Sequence, residues 1–138
     1  MAAKSSQFNM ERFFQALGDN TRLRLLNLMG DQEICVCYFV EILAQGQPKI
    51  SRHLAYLRNA GMVQARREGK WMHYKIVPPK HAGAAQILSE TLSALRGDNA
   101  MQADLSRLNK ACCATATVSA LLEAPRPTIL APSGISSC

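Results

Sequence analysis

A mainly helical domain carrying one two-stranded β-wing is predicted by three features of this 138-residue chain. Apolar residues recur at helical spacing through residues 9–59 and again through 80–111. Between those blocks, M-V-Q-A-R-R and W-M-H-Y-K-I-V alternate like strands around the turn Glu68-Gly69-Lys70. Aliphatic and small residues supply most of the 48% hydrophobic fraction, which suits one small helical core.

The first helix runs from Asn9 to Leu17, with Met10, Phe13, Phe14 and Leu17 on its apolar side, and Gly18 closes it. Asp19 or Asn20 suits the N-cap of the next, T-R-L-R-L-L-N-L-M, which Gly30 ends. Leu23, Leu26 and Leu28 or Met29 should line its inner side, with Arg22 and Arg24 in water. A third helix is expected from Glu33 to Ala44. Pro48 fits the first turn of a fourth, which reaches Asn59 and stops at Gly61. There Ile50, Leu54 and Leu57 define one buried face. After the hairpin, Pro78-Pro79 precedes a helix from Lys80 to Leu95, with Ala85, Leu88, Leu92 and Leu95 on one stripe. Residues 99–111 form a further helix. The domain reading is therefore 1–111 for the folded unit, with 112–138 a weakly ordered tail rich in Ala, Ser, Thr and Pro.

Charge is uneven along the chain. Between Gln47 and Lys75, seven basic residues (Lys49, Arg52, Arg58, Arg66, Arg67, Lys70 and Lys75) face Glu68 alone. That surplus suggests a polyanionic partner, although a solvated basic face would look the same. No signal-peptide-like or membrane-spanning run occurs, so a cytoplasmic protein without a membrane partner is expected. There the five cysteines should be mostly reduced, which favours ligand or sensor chemistry over a disulfide framework.

Two short helices joined by a Gly-containing turn and followed by a basic hairpin form a winged helix-turn-helix order. The helix 48–59 would enter the major groove of double-stranded DNA. Its outward side, with the residue before it, carries Gln47, Lys49, Ser51, Arg52 and Tyr56, which suit base edges and phosphates. His53 could pack as readily as touch a phosphate. Arg66, Arg67 and Lys70 of the hairpin are placed for phosphate or minor-groove contacts. Trp71 and Tyr74 read as packing residues of the wing. No paired-carboxylate or Cys/His/Asp arrangement points to an enzyme.

The run Q-P-K-I-S-R-H-L-A-Y-L-R-N-A-G-M-V, then R-R-E-G-K-W-M-H-Y-K-I, resembles the ArsR/SmtB family of bacterial metal-sensing repressors. The lead-in A-L-G-D-N-T-R-L-R-L-L-N-L-M matches as well, so the resemblance covers about residues 9–96. It implies a homodimeric winged-helix repressor that reads palindromic operator DNA and is released by an inducer. The first helix and the helix after the wing would build the dimer. E-I-C-V-C resembles the family's arsenic-sensing motif C-V-C-x-x-C, with Val40 in the third position. The implied inducer is trivalent arsenic, inorganic or methylated, held by Cys35 and Cys37. Cys113 or Cys112 would complete the site for an ion that prefers three thiolates. Within an intact helix the two motif cysteines would stand about 200° apart, so a ligand needing both should bend or unwind it. Alternatives are a redox or persulfide sensor, a cadmium or lead sensor, or buried cysteines with no shared role. The family's other site, on the post-wing helix, has no counterpart in A-G-A-A-Q-I-L-S-E-T-L. Cys138 is the weakest ligand candidate.

Overall fold

A computed structural model describes residues 8–113 and the backbone of residues 128–129; the side chain of Cys113 lies outside it. The elements are α1 (Met10–Leu17), α2 (Asn20–Met29), β1 (Gln32–Cys35), α3 (Val36–Leu43), α4 (Gln47–Asn59), β2 (Val63–Glu68), β3 (Trp71–Ile76), α5 (Ala82–Arg96), α6 (Asn99–Cys113) and β4 (Thr128–Ile129). Local chemistry explains most boundaries. Asn9 and Asp19 cap α1 and α2 through side-chain oxygens that accept from Arg12 N and Arg22 N. Gly30 and Gly61 take positive φ beyond α2 and α4, where a Cβ would be strained.

The third helix departs from expectation. Residues 32–35 are a strand paired antiparallel with β3, and the helix begins only at Val36. All four strand residues are buried, the polar Gln32 and Glu33 included, so no polar-apolar alternation marks them, and Ile34 and Cys35 read as the start of the apolar helix that follows. The wing hairpin is consequently part of a four-stranded antiparallel sheet of order β2-β3-β1-β4. Most of the 112–138 segment lies outside the described residues. Within it, Thr128 and Ile129 pair with Glu33 and Gln32 of β1.

The core gathers Phe13, Leu25, Leu26, Phe39, Ile50, Leu54, Leu57 and Met62, all buried. In α2 the inner residues are Leu25, Leu26, Leu28 and Met29, while Leu23 is half-buried. Its arginines are not simply in water. Arg24 donates to both carboxylate oxygens of buried Asp104, at 2.7 and 3.0 Å. Asn27 donates to Met101 O, and these contacts fasten α6 along α2. Helix α6 also packs on α3, while α3 packs on α4. On α5 the buried pair is Ala84 and Leu88, with Ala85, Leu92 and Leu95 half-buried beside them.

Candidate functional site

Helix α4 stands on Ile50, Leu54 and Leu57, each fully buried, which turns its opposite side outward. Gln47, Lys49 and Arg52 are exposed there and Ser51 is half-buried. Two other residues expected to face DNA make contacts within the molecule, His53 half-buried and Tyr56 still exposed. His53 Nδ1 lies 3.2 Å from Arg22 Nη1 and 3.9 Å from Asp19 Oδ1. Burial pushes the His53 pKa down, against the attraction of Asp19. The Tyr56 ring lies under the Arg22 guanidinium, 4.1 Å from its centroid, and the hydroxyl donates to Gln15 Oε1 at 3.2 Å. Arg22 also donates to Ala16 O and Gln15 O, carbonyls of the last turn of α1, the second of which also accepts from Gly18 N. This one arginine thus links α1, α2 and α4.

The α3–α4 turn contains Gly46, yet the left-handed residue is Ala44, at φ 55°; Gly46 has φ −63°. In the wing, Arg66, Arg67 and Lys70 are exposed. Arg66 binds the carboxylate of Glu33, and the Lys70 ammonium lies 5.1 Å from the Trp71 ring centroid. Trp71 is half-buried and Tyr74 is buried, in keeping with packing roles.

The thiols are not on opposite faces of a helix. Cys35 ends β1 with extended dihedrals (φ −70°, ψ 142°) and occupies the N-cap of α3, while Cys37 sits in its first turn. A residue at the N-cap folds its side chain over that first turn. Its Sγ therefore lies 3.4 Å from Cys37 Sγ. The expectation that a shared ligand must bend an intact helix fails for this reason. Cys35 is fully buried and Cys37 half-buried. The Cys37 thiol is pushed up to about 12, first by burial and then by the hydrogen bond and charge of Cys35.

Cys112 is buried on the face of α6 that also carries Met101, Asp104 and Leu108. Among the described residues, no group of three or more His, Cys, Asp or Glu side chains is arranged to hold a metal ion. Cys113's side chain and Cys138 fall outside them. Sequence reasoning gave no role to Arg22, Gln15 or Glu33, whose partners are 31, 41 and 33 residues away. Only recognition of β1 as a strand would have set Glu33 beside the wing.

An exposed polar helix on an apolar base, preceded by a short helix and followed by a basic hairpin, defines the winged helix-turn-helix class of transcription regulator. Residues 19–65 match the family described as bacterial regulatory protein, arsR family. The chain is 46% identical over 80 residues to the arsenical resistance operon repressor of Escherichia coli K12, spanning 57% of this chain and 68% of that one. It is 43% identical over 82 residues to the arsenic resistance transcriptional regulator ArsR2 of Pseudomonas putida KT2440, spanning 59% and 71%. Reduced HlyU from Vibrio cholerae N16961 superposes with a TM-score of 0.54 at 26% identity, covering 64% of this chain and 90% of that one. The chain belongs to the arsR family of bacterial regulatory proteins. These relatives are regulators, not enzymes. Among the described residues no helix is long and apolar enough to cross a membrane.

Proposed function

We propose that this chain is a homodimeric, cytoplasmic repressor whose release from operator DNA is driven by trivalent arsenic at Cys35 and Cys37. The observation that carries the reading is the 3.4 Å approach of the two sulfurs at the start of the helix packed on α4. Two thiols already gathered can chelate a methylated trivalent arsenical without unwinding α3. Inorganic arsenite prefers three thiolates, and the third would come from Cys112 or Cys113 at the end of α6, which packs on α3. In that case the inducer draws α6 and α3 together and shifts α4 in its groove. Arsenic can release DNA only to the extent that it binds the DNA-free conformation more tightly. The names of the two arsenic-resistance relatives support the choice of inducer.

For DNA, Gln47, Lys49, Ser51 and Arg52 make the reading surface, and Arg66, Arg67 and Lys70 the wing's phosphate contacts. His53 and Tyr56 help to hold α4 in place through Arg22. The dimer would form on α1 and α5. The close sulfurs also favour a second reading, a peroxide- or persulfide-responsive dithiol, although the raised Cys37 pKa works against thiolate attack.

Operator-binding titrations with arsenite, methylarsenite, cadmium and peroxide decide among these. The variants are Cys35→Ser, Cys37→Ser and Cys112→Ser/Cys113→Ser. The double variant should lose its response to arsenite but keep that to methylarsenite. Release by peroxide alone would overturn the arsenical reading. Arg52→Ala should weaken operator binding by about 1–3 kcal/mol if it reads a base.

A further inference from the structure

The strand that ends at Cys35 also holds the wing. Alternate residues of a strand share a face, which puts Glu33 and Cys35 on one side of β1. Cys35 lies opposite His73, and His73 opposite Arg66, in a row across three strands. Arg66 Nε donates to Glu33 Oε2 at 3.0 Å and to Oε1 at 3.2 Å, and Nη2 donates to Oε1 at 2.7 Å. Glu68 Oε1 closes the network, 3.8 Å from Arg66 Nη2 and 2.9 Å from His73 Nε2. The carboxylate of Glu33 is nearly buried, while Arg66 remains half exposed. These contacts use the Nε and Nη2 edge of a group with five N–H donors, which leaves Nη1 for an outside acceptor.

We propose that Glu33 is a positioning residue that braces Arg66 for a DNA phosphate and ties the wing to the strand bearing Cys35. The proposal rests on the operator-binding reading of Arg66 above. An arginine held along one edge has given up most of its rotamer freedom before the phosphate arrives, so the contact costs less to form. Because β1 is only four residues long, a ligand that displaces Cys35 also displaces the carboxylate two residues before it. The inducer's effect then reaches the DNA through the wing as well as through α3 and α4.

The test uses the full chain and a palindromic duplex selected by the wild-type protein from a random library. Binding is measured by fluorescence anisotropy for wild type, Glu33→Gln, Arg66→Ala, Arg66→Lys and the Glu33→Gln/Arg66→Ala pair. Without inducer, Glu33→Gln and Arg66→Ala should each weaken binding by about tenfold, and the double variant no further than Arg66→Ala alone. Arg66→Lys keeps the charge but not the fork, and should behave like Arg66→Ala. Additive losses, tighter binding by Glu33→Gln, or a wild-type-like Arg66→Lys would each overturn the brace. Adding methylarsenite, the ratio of Kd with inducer to Kd without should fall toward one in Glu33→Gln, with inducer uptake by the thiols confirmed by mass spectrometry. An undiminished ratio would refute the link from β1 to the wing while leaving the inducer reading intact. If methylarsenite does not alter wild-type binding, the inducer reading and the link fail together, and the inducer-free cycle decides the brace.

Discussion

Cys37 carries a thiol raised to about 12 by burial and by its neighbour Cys35. At neutral pH the Cys37 thiol is therefore protonated, and a ligand that takes it as a thiolate must dispose of its proton. Arsenous acid and methylarsenous acid do so internally. Each As–S bond that forms replaces an As–OH bond, and the thiol proton leaves with the hydroxide as water. A bare divalent cation has no such acceptor, so cadmium binding releases the Cys37 proton to solvent. Between about pH 6.5 and about pH 8, the Cys37 proton should make cadmium affinity rise by about one log unit per pH unit, whereas it should leave arsenical affinity nearly level. Titration calorimetry in two buffers of different ionisation heat checks both. A level cadmium profile would mean that Cys37 is already ionised. The same shift has a stability consequence of definite sign. As pH rises past the unfolded thiol pKa of about 8.5, the unfolded chain ionises first and the fold loses stability, an effect that Cys37→Ser removes.

Helix α3 and helix α6 show where element-scale order comes from. Ala44 ends α3 in the left-handed region, where a Cβ is strained and glycine is not. Ala44→Gly should therefore stabilise the fold by about 0.5–1 kcal/mol in urea unfolding, the relieved strain exceeding the added chain entropy. Helix α6 depends on Asp104, nearly buried between Arg24 and Arg107. Arg24→Ala leaves that carboxylate in the interior with one partner, and should cost about 3 kcal/mol. Asp104→Ala leaves two arginines that can reach water, and should cost less, about 2 kcal/mol. Equal losses would show that the pair's geometry matters more than which charge is stranded. Helix ends were legible in the sequence because Asn9, Asp19, Gly30 and Gly61 state them locally, and the wing because its alternation brackets Gly69. Strand β1 was not legible, since Gln32 and Glu33 are buried although polar, and Ile34 and Cys35 run without a break into the apolar residues of α3. The thiol pair inherited that error: its members were identifiable by type and spacing, but their 3.4 Å approach depends on a strand-to-helix junction. The Arg24–Asp104 clamp, 80 residues apart in sequence, leaves no local trace.

Across the whole molecule, the starts of α1 and α5 meet through aromatic contacts. Phe8 packs with tilted rings against Phe13 and His81, the residue capping α5, at centroid distances of 5.6 and 5.4 Å. Beside it Phe14 is 50% exposed, and Gly83, Gln86, Ile87, Glu90, Thr91 and Ala94 line a shallow groove along α5. If two copies join here, the operator is read by two recognition helices and two wings, and the phosphate contacts double. Ile87→Glu removes an apolar side chain from the groove and sets a second negative charge there beside Glu90, without touching α4 or the wing, so it should convert such a dimer to a monomer that still folds. Sedimentation velocity reports the mass, and far-UV circular dichroism the fold. The informative number is the salt dependence of operator binding. Since log K falls with log salt at a slope of about −0.9 per neutralised phosphate, a monomer on one half-site should show about half the wild-type slope, together with a large loss of affinity. A weaker complex with an unchanged slope would mean that both half-sites are still held, placing the dimer contact elsewhere on the molecule.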